Sequence, residues 1–167
     1  TLTPTLSHQR RGGKVVRAFV HAEIKKPLAP LLKKIKSYGW EAGIALNPDT
    51  EWETLESLFP SPGLRPPSPA GRGVGGEGIK ADCVLFMTVY PGQNGAPFQP
   101  QVIPKIKNFH AAYPNIPIEV DGGVNAKTLP LLLKVGVTRL AVGSAIWSAS
   151  NPLTAYKKLL KVVRPTR

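Results

Sequence analysis

The chain has 167 residues, 42% of them apolar, and a net charge of +12 from 22 Lys and Arg against 10 Asp and Glu. That length suits one domain with a sizeable core. No stretch approaches the roughly 20 apolar residues of a membrane span, so no membrane partner is expected, and the single cysteine, Cys83, excludes a disulfide scaffold.

No leading segment reads as a secretory signal, and the expected compartment is a reducing cytoplasm. The chain opens on Thr1 rather than Met, as a fragment or processed product would. Its charge is uneven. Residues 1–40 carry nine bases against Glu23, residues 41–60 carry five acids and no base, and the tail from Lys157 carries five bases. Such an excess raises nucleic acid as a partner. It falls on a helix face and the two ends, without interleaved aromatics, which favours solvated faces over a nucleic-acid site.

In chain order, residues 1–14 are polar, basic and without periodicity, and are expected to be a disordered tail. From residue 15 to 167 strands and helices alternate. Val16–Val20 reads as a short apolar strand. Pro27–Tyr38 reads as a helix, with Leu28, Leu31, Leu32 and Ile35 on one face, Pro27 in the first turn and Gly39 as the stop. Ala42–Leu46 is the second strand, followed by a short acidic helix near Glu51–Leu58. Residues 61–78 hold six Gly and four Pro in 18 residues, a low-complexity loop that interrupts the domain. This loop and the tail share a Pro/Ser/Thr stretch, then Arg, then Gly-Gly, the pattern of one repetitive element inserted twice. Its Gly71-x-Gly73-x-x-Gly76 run follows no strand, so it is not read as a dinucleotide site.

Cys83–Thr88 is the third strand. Val102–Tyr113 is a helix burying Val102, Ile106, Phe109 and Tyr113. Pro117–Val120 is the fourth strand, and Thr128 is the expected cap of the helix opened by Leu129 and Pro130. Arg139–Val142 is the fifth strand. Asn151 caps a last helix with Leu153, Tyr156, Leu159 and Leu160 on one face. Five strands, each followed by a helix, predict an α/β fold with a parallel sheet. Chemistry in such folds gathers at the strands' C-terminal ends, here Asn47, Thr88, Asp121 and Gly143.

Three motifs sit at those ends. Val120-Asp121-Gly122-Gly123 places a carboxylate at a strand end, before a turn whose N–H groups can approach an anion. The plain alternative is a tight turn with Asp as a cap. Val142-Gly143-Ser144-Ala145-Ile146 offers free N–H groups at a helix start, where phosphate binds well. A simple N-cap is the alternative there. Met87-Thr88-Val89-Tyr90-Pro91-Gly92, running on to Gly95, is either a loop that closes over a ligand or an ordinary surface loop.

These motifs, with Phe19-x-His21-Ala22-Glu23 and Ala45-Leu46-Asn47-Pro48-x-Thr50, resemble in order and spacing strands four to eight of the ribulose-phosphate 3-epimerase family. The likeness runs from about Val16 to Leu160, outside the loop. It implies a (β/α) TIM-barrel of the ribulose-phosphate-binding type, incomplete, with about five βα units. It implies an isomerase that interconverts D-ribulose 5-phosphate and D-xylulose 5-phosphate by metal-assisted proton transfer at carbon 3, in the pentose phosphate pathway. On this resemblance Asp121 is acid/base and metal ligand; Gly122, Gly123, Gly143 and Ser144 hold the phosphate; Met87 lies over the substrate; Gly92 and Gly95 belong to the closing loop.

The implied cofactor is a divalent metal, Zn, Fe or Mn. The family's first three strands carry the other acid/base and three of the four metal ligands. Residues 1–14 are too short to supply them, so a truncated, impaired chain is expected. Where the family has Pro-Gly-Phe-Gly-Gly-Gln, this chain has Pro91-Gly92-Gln93-Asn94-Gly95-Ala96. Five strands cannot close an eight-stranded barrel, and self-association through two open edges is expected. The partner is a small phosphosugar. A non-catalytic phosphosugar-binding remnant and a basic nucleic-acid-binding protein are the alternative functions.

Overall fold

A computed structural model of the chain describes residues 2–6, 16–59, 79–90, 92 and 95–163. The loop at 61–78 and most of the 1–14 tail lie outside these residues.

The apolar runs form strands because both of their faces are covered. Ala42–Leu46 is buried along its whole length, as is Cys83–Phe86. Five parallel strands lie side by side in chain order: β2 (Val16–His21), β3 (Glu41–Leu46), β4 (Cys83–Met87), β5 (Ile118–Asp121) and β6 (Arg139–Ala141). Between them run α1 (Leu28–Lys36), a 3-10 helix (Trp52–Leu58), α2 (Val102–Ala112) and α3 (Leu129–Lys134); α4 (Ser144–Trp147) and α5 (Pro152–Val163) follow β6.

Alternation along each strand sorts the side chains. Ala18, Val20, Ile44, Phe86 and Val120 point outward and join Leu32, Ile35, Ile106, Phe109, Leu129 and Leu132 of the helices in one core. Trp52, Phe59 and Phe86 pack edge-on against Phe109 with centroids 5.0–5.6 Å apart. Phe19, Ala45, Cys83 and Leu85 point to the concave side, with Met87 above them.

One expectation is corrected. The tail segment Leu2–Leu6 is a strand, β1, antiparallel to β2 with Leu2 opposite Val20 and Leu6 opposite Val16. The exposed edge of β2 offers a row of backbone donors and acceptors that a short Thr-containing segment can pair with, and an edge position tolerates Pro4. One of the two expected open edges is therefore covered. Thr128 stands at the N-cap position of α3 as expected, but its side chain makes no capping hydrogen bond. The carboxamide oxygen of Asn125 instead accepts from Lys127 N–H at 2.9 Å and Thr128 N–H at 3.2 Å. In α5 only Leu159 is buried, while Leu153 and Tyr156 are 60% and 47% exposed. The helix meets only α3 and α4 closely, and no described element covers the rest of its apolar face.

Candidate functional site

The C-terminal ends of β4, β5 and β6 open on one cavity of about 260 Å³. Met87, Gly92, Gly95, Asp121, Gly122, Gly123, Gly143 and Ser144 all line it, with Val89, Tyr90, Ala96, Val124 and Ala141. The parallel register sets Met87 beside Asp121 and Asp121 beside Ala141. His21 and Asn47, at the ends of β2 and β3, are not among the lining residues.

The Gly122–Gly123 turn is shaped by backbone need. Both residues have positive φ, +103° and +60°, where side chains are rarely accommodated. The space above them is also taken. A Cβ on Gly122 would meet a Val89 methyl at 2.3 Å, and one on Gly123 would meet Phe98 Cβ at 3.0 Å. A Cβ on Gly143 would meet nothing, so that backbone is open to the mouth.

Electrostatics favour a poised carboxyl. Burial pushes Asp121 up from the ordinary range, against the Gly122 N–H that pulls it down. No Lys or Arg lines the cavity among the described residues. α4 is a single turn, so it contributes free amides and little macrodipole.

The loops around the mouth are pinned. Tyr90 donates its hydroxyl to Asp49 at 2.8 Å. Lys105 on α2 holds the carbonyls of Pro48 at 2.8 Å and Thr50 at 3.0 Å and the Glu51 carboxylate at 3.1 Å. Glu23 accepts from the Asn47 N–H at 2.9 Å and from the Thr50 hydroxyl. Sequence reasoning did not find the roles of Val89, Phe98 and Asn125; two glycines followed by Val-Asn was the available signal for Asn125 alone.

The metal that the resemblance assigns to Asp121 does not fit the residues present. Among the described residues, no three His, Cys, Asp or Glu side chains converge to hold a metal ion. Among the described residues, Asp121 is the only such group lining the cavity.

A parallel βα sheet with a carboxylate and glycine turns at its C-terminal mouth has the arrangement of a (β/α) barrel. A family model described as "Ribulose-phosphate 3 epimerase family" matches residues 9–64 and 79–147, and the chain belongs to that family. Ribulose-phosphate 3-epimerase of Bacillus subtilis is 34% identical over 145 residues, which are 84% of this chain and 58% of that protein. The protein named "Ribulose-phosphate 3-epimerase, cytoplasmic isoform" of Oryza sativa subsp. japonica is 31% identical over 133 residues, 80% of this chain and 51% of the relative. The chain thus spans little more than half the length of these curated relatives. The solved structure of a 3-hexulose-6-phosphate synthase superposes with a TM-score of 0.54 at 17% identity, over 86% of this chain and 60% of that one. That likeness speaks for the TIM-barrel type of fold. No helix among the described residues is long and apolar enough to cross a membrane.

Proposed function

We propose that the cavity binds a pentulose phosphate, D-ribulose 5-phosphate or D-xylulose 5-phosphate, and that Asp121 moves the proton on its carbon 3. The observation that carries this reading is the convergence of Asp121, Gly122, Gly123, Gly143 and Ser144 on one cavity, in a chain of this family.

The carbonyl at carbon 2 acidifies the carbon 3 proton, and its removal leaves an enediolate. A buried carboxylate with a raised pKa is a stronger base than an exposed one and takes that proton more readily. The turn amides hold the phosphate end, which fixes carbon 3 near Asp121. Inversion needs a second acid on the opposite face. Among the described lining residues Asp121 is the only carboxylate, and the Tyr90 hydroxyl is engaged with Asp49. The chain alone therefore exchanges the carbon 3 proton faster than it inverts the centre, and its epimerase turnover is impaired.

Deuterium incorporation at carbon 3 of ribulose 5-phosphate in D2O tests this. Wild type is expected to exchange, and D121N to lose roughly 10²–10⁴-fold in rate. Exchange that survives D121N overturns the role of Asp121. Binding without exchange assigns a phosphosugar-binding role instead.

The β6 edge and the exposed apolar side chains of α4 and α5 favour self-association with a second copy. A cytoplasmic setting agrees with the lone, buried Cys83 and with the name of the rice relative.

A further inference from the structure

We propose that Thr88 is the positioning residue that aims the N–H groups of the Asp121–Val124 turn, and with them the Asp121 carboxylate, into the cavity. This rests on the phosphate-binding reading of that cavity and deepens it.

Thr88 is fully buried at the end of β4. Its N–H donates to the Asp121 carbonyl at 2.8 Å. Its hydroxyl reaches the same carbonyl at 3.1 Å and also the Gly122 carbonyl. The next carbonyl, that of Gly123, accepts from the Asn125 carboxamide at 2.9 Å and the Thr128 hydroxyl at 2.8 Å. Three successive carbonyls are therefore clamped, that of Asp121 by the Thr88 N–H and those of Gly122 and Gly123 by side-chain donors.

A trans peptide is planar, with its C=O and N–H pointing in opposite directions. Clamping the carbonyls of Asp121, Gly122 and Gly123 turns the N–H groups of Gly122, Gly123 and Val124 the other way, the first of them toward the Asp121 carboxylate. All three of those residues line the cavity. Successive N–H groups on one concave side form a nest for an anion. Thr88 is the one member of the clamp that comes from another strand, so it also ties the nest to the β4 loop. The Gln99 N–H donates to the Thr88 carbonyl at 2.8 Å and closes that loop behind it. A hydroxyl is needed here; a methyl of the same size leaves the Gly122 carbonyl without this partner.

The experiment follows backbone amide shifts of the whole chain during titration with inorganic phosphate, for wild type, T88V and T88S. Wild type is expected to show saturable shifts at Gly122, Gly123 and Val124. T88V is expected to bind phosphate about tenfold more weakly, as loss of a buried hydrogen bond implies. T88S is expected to restore affinity to within about twofold, a rescue that packing alone does not produce. If T88V does not fold, T88A carries the same comparison. Equal affinity in wild type and the hydroxyl-less variant overturns the role of Thr88. A wild-type chain whose turn amides do not respond to phosphate overturns the phosphate reading of the cavity, and this proposal with it.

Discussion

Arg17 on β2 donates to the Glu119 carboxylate on β5 at 2.6 Å, although β3 and β4 lie between them in the sheet. Neighbouring strands are about 4.8 Å apart, so three steps span roughly 14 Å along the sheet. Direct contact requires the sheet to curl as a barrel wall does. The same guanidinium meets Glu41 at 2.6 Å, and Arg139 meets Glu41 at 3.0 Å. Four charges from four strands thus close the concave floor beneath Phe19 and Leu85. Arg17 and Glu119 are 3% and 4% exposed.

Removing one partner of such a pair leaves a buried charge without compensation. R17M is expected to cost about 3–5 kcal/mol of stability in urea unfolding. The double variant R17M/E119L is expected to recover most of that loss, since no lone charge remains. A loss below about 1 kcal/mol for R17M would show that water, rather than Arg17, solvates Glu119.

The two acids of the floor titrate in opposite directions. Burial pushes Glu41 up, but Arg17 and Arg139 outweigh it and hold the carboxyl below its ordinary 4.5. Burial dominates at Glu119, which stays above 4.5 despite Arg17. The stabilisation from Glu41 is complete above pH 4.5 and is lost as pH falls through its lower folded value. Glu119 binds its proton more tightly in the folded state, so stability rises as pH falls through its folded value toward 4.5. Unfolding free energy is therefore expected to rise slightly on approach to pH 4.5 and to fall below it. E41Q should flatten the acid-side fall and E119Q the rise; an unchanged acid limb in E41Q would contradict the assignment.

Cys83 sits behind Phe19 on the concave face, fully buried. Burial pushes its thiol up to about 12, more than Arg17 and Arg139 pull it down. At pH 8 the thiolate is then about one part in 10⁴. A disulfide reagent should leave native Cys83 intact and react fully in denaturant. Stoichiometric labelling of the native protein within seconds would place the thiol in contact with solvent.

The apolar side chains beyond β6 predict association. Trp147 on α4 is 76% exposed, Leu153 and Tyr156 on the adjoining α5 are exposed too, and β6 pairs with β5 alone among the described residues. Sedimentation velocity is expected to show mass-dependent self-association, reduced in the W147E/L153E variant. A concentration-independent monomer in wild type would refute this.

Much of this fold is legible along the chain. Runs such as Ala42–Leu46 and Cys83–Phe86 announce buried parallel strands, and Leu28, Leu32 and Ile35 announce the inner face of α1. Asp121-Gly122-Gly123 stands out because a carboxylate and two glycines end an apolar strand. Arg17, Glu41, Glu119 and Arg139 do not stand out. Each looks like a solvated charge until sheet curvature brings residues 102 apart in sequence together. The clamp by Thr88 is hidden for a related reason: it depends on the β4–β5 register. Asn125 and Thr128 are both good capping residues three apart; Thr128 takes the N-cap position, and only the turn geometry brings the Asn125 carboxamide to the free N–H groups. The Leu153–Tyr156 face follows helical periodicity faithfully, yet periodicity does not say what will cover it.

The structure of the chain with ribulose 5-phosphate bound is the most direct measurement of how the cavity works. The phosphate is expected between the N–H groups of Gly122 and Gly123 and those of Gly143 and Ser144, with carbon 3 against the Asp121 carboxylate. A phosphate held instead by the lysines of α1 or α5, with the β4–β6 mouth empty, would contradict it.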